Sequence, residues 1–205
     1  MLEGHLVDLV PRTDDYVEIE AITVNAEAGF WSNAGSRPLV TQAAYHAFVD
    51  SSRERDADNP MRTIFFGIRT KDGTPIGRMK IRSLPAHLRQ NILGFLIGDP
   101  VYWGQGRGTD ALLLAVQYCF DWLDARKIWL GTMGWNVRVL RQMEKVGFVQ
   151  ELRQRDGTYG DGQWCDMVVF ARLREDWPGY VAEAARLKLH ERAAQIALDA
   201  PNARM

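Results

Sequence analysis

The segment that most restricts the fold is Gly98-Asp99-Pro100-Val101-Tyr102-Trp103-Gly104-Gln105-Gly106-Arg107-Gly108-Thr109, which joins an apolar strand to a long helix. Glycines at the alternate positions 104, 106 and 108 let the backbone take positive φ and bring its N–H groups against a ligand. Ahead of a helix N-terminus, such amides make a receptor for phosphate oxygens. Thr109 can add a hydroxyl there and Arg107 a positive charge. Two familiar phosphate sites are excluded. No Gly-Lys-Ser/Thr follows, as a P-loop requires, and Thr109 stands where a Rossmann fingerprint begun at Gly104 needs its last glycine, with no early βαβ unit. A glycine-rich turn that merely starts a helix is the plainer alternative.

Around this loop the chain alternates hairpins with crossover helices. The pattern predicts a strand over 5–10 and a helix from the Thr13-Asp14-Asp15 cap to about Asn25. A loop over 29–38 and a helix from Thr41 to about Arg55 follow. Residues 61–83 read as a hairpin turning at Lys71-Asp72-Gly73-Thr74, and 91–98 as a further strand. Helices are expected over 109–126 and 137–146, with a strand over 127–133 between them. A last hairpin has strands 148–155 and 163–173 with 156–162 as its tip, and one helix should run from about Tyr180 to Leu198. This mixture indicates an α+β domain with a mixed sheet.

Composition narrows the class. The 205 residues suit one domain, and 46% hydrophobic residues can fill a sizeable core. No run approaches the roughly 18 apolar residues of a membrane span, and the N-terminus lacks a basic-then-apolar signal pattern. Cys119 and Cys165 lack metal-ligand spacing, so buried thiols in a reduced, cytoplasmic setting are expected, with no metal. A net charge of −1 conceals −7 over residues 1–60 and +6 over 61–205. No dense basic stripe with interleaved aromatics marks nucleic-acid binding.

A second motif, Asn136-Val137-Arg138-Val139-Leu140-Arg141-Gln142-Met143-Glu144-Lys145-Val146-Gly147-Phe148, follows the next strand. With the loop it resembles the GNAT superfamily of N-acetyltransferases, in which a pyrophosphate loop precedes an Asn…Glu-Lys-x-Gly-Phe helix. Ile97-Gly98-Asp99, Tyr102-Trp103-Gly104-Gln105-Gly106 and Thr109-Asp110-Ala111 are similar to the branch containing ribosomal-protein and spermidine acetyltransferases. The resemblance covers about residues 4–176. It implies one GNAT-like domain over 1–176, its mixed and mostly antiparallel sheet holding two splayed parallel strands flanked by helices. Residues 177–205 would be a C-terminal helical extension packed on the domain or on a partner subunit. The implied activity is transfer of acetyl from acetyl-CoA to a primary amine by direct attack in a ternary complex. The amine would belong to a protein N-terminus, a polyamine or an antibiotic-like small molecule. Backbone groups near Leu96 and Ile97 would pair with pantetheine, and Gly104 to Thr109, including Gln105, Arg107 and Gly108, would hold the pyrophosphate. Asn136 would reach the pantetheine, Met143 would face the sulfur, and Gly98, Trp103 and Arg141 complete the implied donor set.

This sequence departs from the family at three places, the first being Trp103, where the loop often begins with Gln or Arg. Met143 stands where a tyrosine acid is frequent, and Ile92 where a glutamate base is frequent. Positioning, with the Ile97 backbone N–H as oxyanion donor, could still drive acyl transfer. Candidate proton carriers are Tyr102, Asp166, Tyr159 and His87. Asp14, Asp15, Glu18, Glu20 and Glu27 would either draw a cationic amine or form a solvated helix face. Phe30 and Trp31 would shape a substrate pocket or pack the N-terminal helices. Val181, Ala184, Leu187 and Ala194 recur at helical spacing and should dock, on this chain or in a homodimer. A competing reading from another class is a non-catalytic acetyl-CoA-binding sensor or scaffold.

Overall fold

The computed structural model describes residues 1–33, 35–37, 39–56, 59 and 62–199. Ala34, Pro38 and Met61 of the expected segments, and 200–205 of the extension, lie outside the described residues. The chain opens with β1 (Leu2–Glu3) and β2 (Val7–Pro11), then α1 (Asp14–Thr23), α2 (Glu27–Ser32) and α3 (Gln42–Asp56). Next come β3 (Thr63–Thr70), β4 (Pro75–Ser83) and β5 (Gln90–Ile97), followed by α4 (Arg107–Gln117). The remainder is β6 (Lys127–Met133), α5 (Val137–Lys145), β7 (Val149–Gly160), β8 (Gln163–Leu173), α6 (Tyr180–Arg186) and α7 (Leu189–Asp199). One sheet holds all eight strands in the order β1-β2-β3-β4-β5-β6-β8-β7. Every pairing is antiparallel except β5 with β6. The fold is α+β with a mixed sheet, as the pattern of hairpins and crossovers predicts. No helix among the described residues is long and apolar enough to cross a membrane.

Four boundaries differ from the sequence reading, each for a local reason. The first strand is a small hairpin, because Gly4 N–H closes on the Val7 carbonyl and folds β1 back on β2. The expected loop over 29–38 contains α2, whose Phe30 is buried against Met133 and Cys165. The last hairpin turns later than expected. Two Asp-Gly pairs compete there: Asp161-Gly162 takes positive φ at both residues and forms the two-residue tip between paired Gly160 and Gln163, a type I′ geometry. Asp156-Gly157 becomes an irregularity within β7 instead. Finally, the single C-terminal helix is two. Lys188 has φ 56, ending α6 and redirecting α7.

The main core lies between the sheet and α4. In that helix Ala111, Leu112, Leu113, Leu114, Ala115 and Val116 are all buried, so it is apolar on every side and needs cover on the face turned away from the sheet. The extension supplies that cover, with α6 packing on α4 and burying Ala184 and Leu187. Val181 and Ala194 of the expected docking stripe remain exposed. The junction is polar. Asp110, fully buried in the first turn of α4, accepts hydrogen bonds from Leu6 N (2.6 Å) and Val7 N (3.1 Å), and from the Tyr180 hydroxyl (2.7 Å). Tyr180 in turn accepts from His5 N. Burial pushes the Asp110 carboxyl above its ordinary range, opposed by the bonds it accepts. Behind α6, buried Arg172 pairs with buried Glu183 at 2.6 Å.

Replacing Asp110 with Ala strands two buried N–H donors, so urea unfolding should show a loss of about 2–5 kcal/mol. Tyr180→Phe, which removes one donor, should cost nearer ~1 kcal/mol. Equal small effects would show that Asp110 does not join the N-terminus, α4 and the extension.

Candidate active site

The parallel ladder between β5 and β6 is three residues long: Gln90 with Lys127, Asn91 with Ile128 and Ile92 with Trp129. Both strands continue, β5 to Ile97 and β6 to Met133, but they part. Each is held by its other neighbour. β5 keeps unbroken register with β4 from Asn91↔Ser83 to Ile97↔Gly77, and β6 with β8 from Lys127↔Leu173 to Met133↔Met167. Gly98 N–H donates to Ile76 O on the β4 side, so strand alternation turns the backbone groups of Phe95 and Ile97 the opposite way, into the gap. Leu96 is thereby committed to β4 in its main chain. Of the two residues singled out for pantetheine, only Ile97 presents its backbone, and Phe95 is the one the sequence did not reveal.

The gap opens into a cleft of about 540 Å³. Ala28, Trp31 and Ser32 of α2 line one part, Leu93 to Ile97 of β5 and Leu130 to Thr132 of β6 its walls. Tyr102, Trp103, Gly104, Gly106, Gly108 and Thr109 form the loop side. Gly104 and Gly106 have φ of 76 and 89, the conformation the glycine pattern called for. Gly98, Gln105 and Arg107 do not line the cleft. Gln105 donates back to Val101 O, and Arg107 lies over the Tyr102 ring at 5.1 Å, with burial pulling its guanidinium below the ordinary value. Trp103 donates its indole N–H to Ile97 O (2.9 Å) and stacks under Arg138 (3.7 Å).

From α5 come Asn136, Arg138, Val139, Arg141, Gln142 and Lys145. Asn136 caps the helix by accepting from Val139 N and donates to Thr132 Oγ1. Gln142 reaches Thr109 Oγ1 across the cleft (3.4 Å). Met143, expected to face the sulfur, is fully buried in the main core and is not a lining residue. The helix turns its 138, 141–142 and 145 positions to the cleft, which leaves 143 facing the interior. That cationic face was legible as an i, i+3, i+7 spacing of Arg138, Arg141 and Lys145. Arg78 and Lys80 of β4 and Arg192 of α7 also line the cleft, and nothing in local sequence marks them.

Among the described residues no Asp, Glu or His lines this cleft. Of the proton carriers named from sequence, Tyr102 lines it. Asp166 is held by Arg153 (2.8 Å), which keeps its carboxyl below the ordinary range. Tyr159 stands exposed on the last hairpin against Trp164, and His87 lies at the other end of β5, in a short 3₁₀ turn. Ile92 closes the parallel ladder and is not a lining residue. Trp31 faces the cleft, while Phe30 goes to a small core beneath it and to the edge of a shallower depression shared with Glu27, Trp135 and Asp161.

The acidic residues of α1 do not form an amine-attracting wall. Asp14 pairs with Arg53 and Glu18 with His46. Glu20 is 1% exposed and bound by Arg12 (2.6 Å), Arg78 (2.7 Å) and the Tyr45 hydroxyl (2.6 Å). Burial is the largest influence on Glu20 and raises its pKa, but the two guanidiniums and the phenol together leave it below its ordinary 4.5. The Tyr45 phenol is pushed up to about 12, chiefly by burial. No group of three or more His, Cys, Asp or Glu able to hold a metal occurs among the described residues.

A glycine loop over a gap between parted parallel strands defines the class: an α+β transferase domain shaped for a slender, phosphate-bearing ligand. The chain belongs to the GNAT acetyltransferase family, whose Acetyltransferase (GNAT) domain profile matches residues 9–149. It is 33% identical over 167 residues to YjcK of Bacillus subtilis (strain 168), named as an N-acetyltransferase, covering 80% of this chain and 78% of that one. It is 27% identical over 108 residues to YdaF of the same organism, named as a ribosomal N-acetyltransferase; there the match spans 53% of this chain and 58% of the relative. In three dimensions it resembles Mycobacterium smegmatis RimJ in complex with CoA-disulfide, with a TM-score of 0.74 at 19% identity, covering 89% of each chain.

Glu20 ties stability to pH. Its folded pKa lies below the unfolded value, so its stabilisation is complete above about 4.5 and is lost as pH falls through the folded value. Urea midpoints of the wild type should therefore drop on acidification below pH 5, and Glu20→Gln should flatten that limb. At neutral pH the same variant should cost about 3–5 kcal/mol, since Arg12 loses its buried partner. An unchanged acid limb would show that Glu20 does not carry this dependence.

Proposed function

We propose that this acetyltransferase moves acetyl from acetyl-CoA to a primary amine, in a ternary complex formed across the β5–β6 gap. The observation that carries the reading is the pair of backbone edges at Phe95 and Ile97, freed where the strands part, directly below the Gly104–Thr109 loop. An exposed strand edge is a template for an amide-bearing chain, and pantetheine is one. The loop amides and the N-terminus of α4 suit its diphosphate. Arg138, Arg141 and Lys145, which form no salt bridge among the described residues, leave their charge available to phosphate oxygens. CoA therefore fits the residues present.

The chemistry that such a cleft supports is positional. The amine nitrogen attacks the thioester carbon, the Ile97 N–H stabilises the oxyanion, the C–S bond breaks and CoA thiolate leaves. With no His, Asp or Glu lining the cleft, the ammonium proton passes to water. On this reading Tyr102, covered by Arg107, is a wall rather than an acid. The acceptor is a primary amine of a protein N-terminus, a polyamine or a small molecule; Arg78 of the cleft wall is already paired with Glu20. Free buried Cys119 and Cys165 accord with a reducing, cytoplasmic setting.

Thiol release from acetyl-CoA should be observed with at least one member of a panel of free-N-terminus peptides, polyamines and amino-bearing small molecules. No release with any amine would leave a sensor or scaffold instead of this reaction. The pH dependence of kcat/KM should follow the acceptor's own ammonium pKa, shifting when a less basic acceptor is used. Tyr102→Phe should fall far short of the about 10²-fold loss expected from removing a general acid. A profile fixed across acceptors would place a titrating group of the protein in the reaction. Gly108→Val, which adds side-chain atoms facing Phe95, Ile97 and Gln142, should abolish stabilisation by CoA while leaving the fold intact.

A further inference from the structure

The family match ends at residue 149, yet a residue far beyond it lines the cleft. Arg192 lies on α7, and the left-handed turn at Lys188 aims that helix back over the glycine loop. The approach is close. A Cβ built on Gly106 would stand 3.3 Å from Arg192 Cδ and 3.5 Å from its Nη1. The guanidinium has no ion pair and no side-chain hydrogen bond among the described residues. Its cationic neighbours on the extension are engaged, Arg186 with Glu183 and Lys188 with Glu191. The placement is also built rather than loose. Tyr180 on Asp110, Glu183 on Arg172 and the His190 ring edge-on to His5 fix both helices of the extension to the domain.

An unpaired arginine set against a glycine loop, with both lining one cleft, makes a joint receptor for an anion. Its planar donors suit two phosphate oxygens at once. We propose that Arg192 binds the diphosphate of the acetyl donor alongside the Gly104–Thr109 amides, so that the C-terminal helices complete the donor site. This rests on the donor assignment made above and adds to it a residue outside the family profile. It also gives a second reason for glycine at position 106: any side chain there would stand between the loop amides and the guanidinium.

The test is titration calorimetry on the full chain with CoA, 3′-dephospho-CoA and pantetheine, for wild type, R192A and R192K. Binding of CoA and of 3′-dephospho-CoA should each weaken about tenfold or more in R192A, R192K should recover part of it, and pantetheine, which lacks the diphosphate, should bind wild type and R192A alike. Wild-type affinity of R192A for CoA would overturn the proposal. A loss seen with CoA but not with 3′-dephospho-CoA would also overturn it, placing Arg192 at the 3′-phosphate. If the wild type itself fails to bind CoA, it is the donor assignment that falls. Should R192A melt early, R192Q, which keeps length and helix propensity, carries the same comparison.

Discussion

The molecule depends on a ladder that stops. Three residues of parallel pairing join β5 to β6, and beyond them each strand follows a different partner, so right-handed twist carries the two apart. Backbone N–H and C=O groups inside a protein are rarely left without partners, and a gap of this kind persists only where something else meets that demand. The Trp103 indole takes the Ile97 carbonyl. The cleft, loop and cationic side chains are arranged around that gap in the sheet.

Everything on the loop side follows from fixing the start of α4. A helix apolar on all faces cannot be left against solvent, and α6 packs on it here. Asp110 makes the recruitment specific. It sits in the first turn, where a carboxylate complements the positive helix end, and bonds the N-terminal hairpin and Tyr180 together. The same carboxylate thus sets the direction of the loop amides and the seating of α6, from which α7 brings Arg192 to the cleft. The glycine loop and the stability of the fold share one anchor.

The acceptor side has a different logic. The N-terminal acids, conspicuous in the sequence as a local net charge of −7, do not, among the described residues, line the cleft, and Asp14, Glu18 and Glu20 among them are held by Arg53, by His46 and in the buried network with Arg12 and Arg78. Arg78 shows the redistribution most clearly, serving Glu20 on one side and lining the cleft on the other. Charge counted along the chain matched the cationic cleft, whose lining cations all come from the basic part after residue 60, but it did not place the N-terminal acids, because pairing cancels some charges and burial removes others.

What the sequence determined alone were the features written in neighbouring residues: the alternating glycines that place Gly104 and Gly106 at positive φ, the strand and helix periods, the motif from Asn136 to Phe148, and hence the α+β class and the family. It misread features where two local signals compete, as at Asp156-Gly157 and Asp161-Gly162, and it took α2 for a loop because Gly29 and Asn33 signal a turn while Phe30 finds its core only in Met133 and Cys165. Tertiary structure alone decided which face Met143 turns inward, which of Leu96 and Ile97 offers its backbone, and that Arg78 and Arg192, 114 positions apart, line one cleft. The reason is physical: conformational preference acts over a few residues, whereas burial, strand pairing and the convergence of charge are settled by partners that only the folded chain brings together.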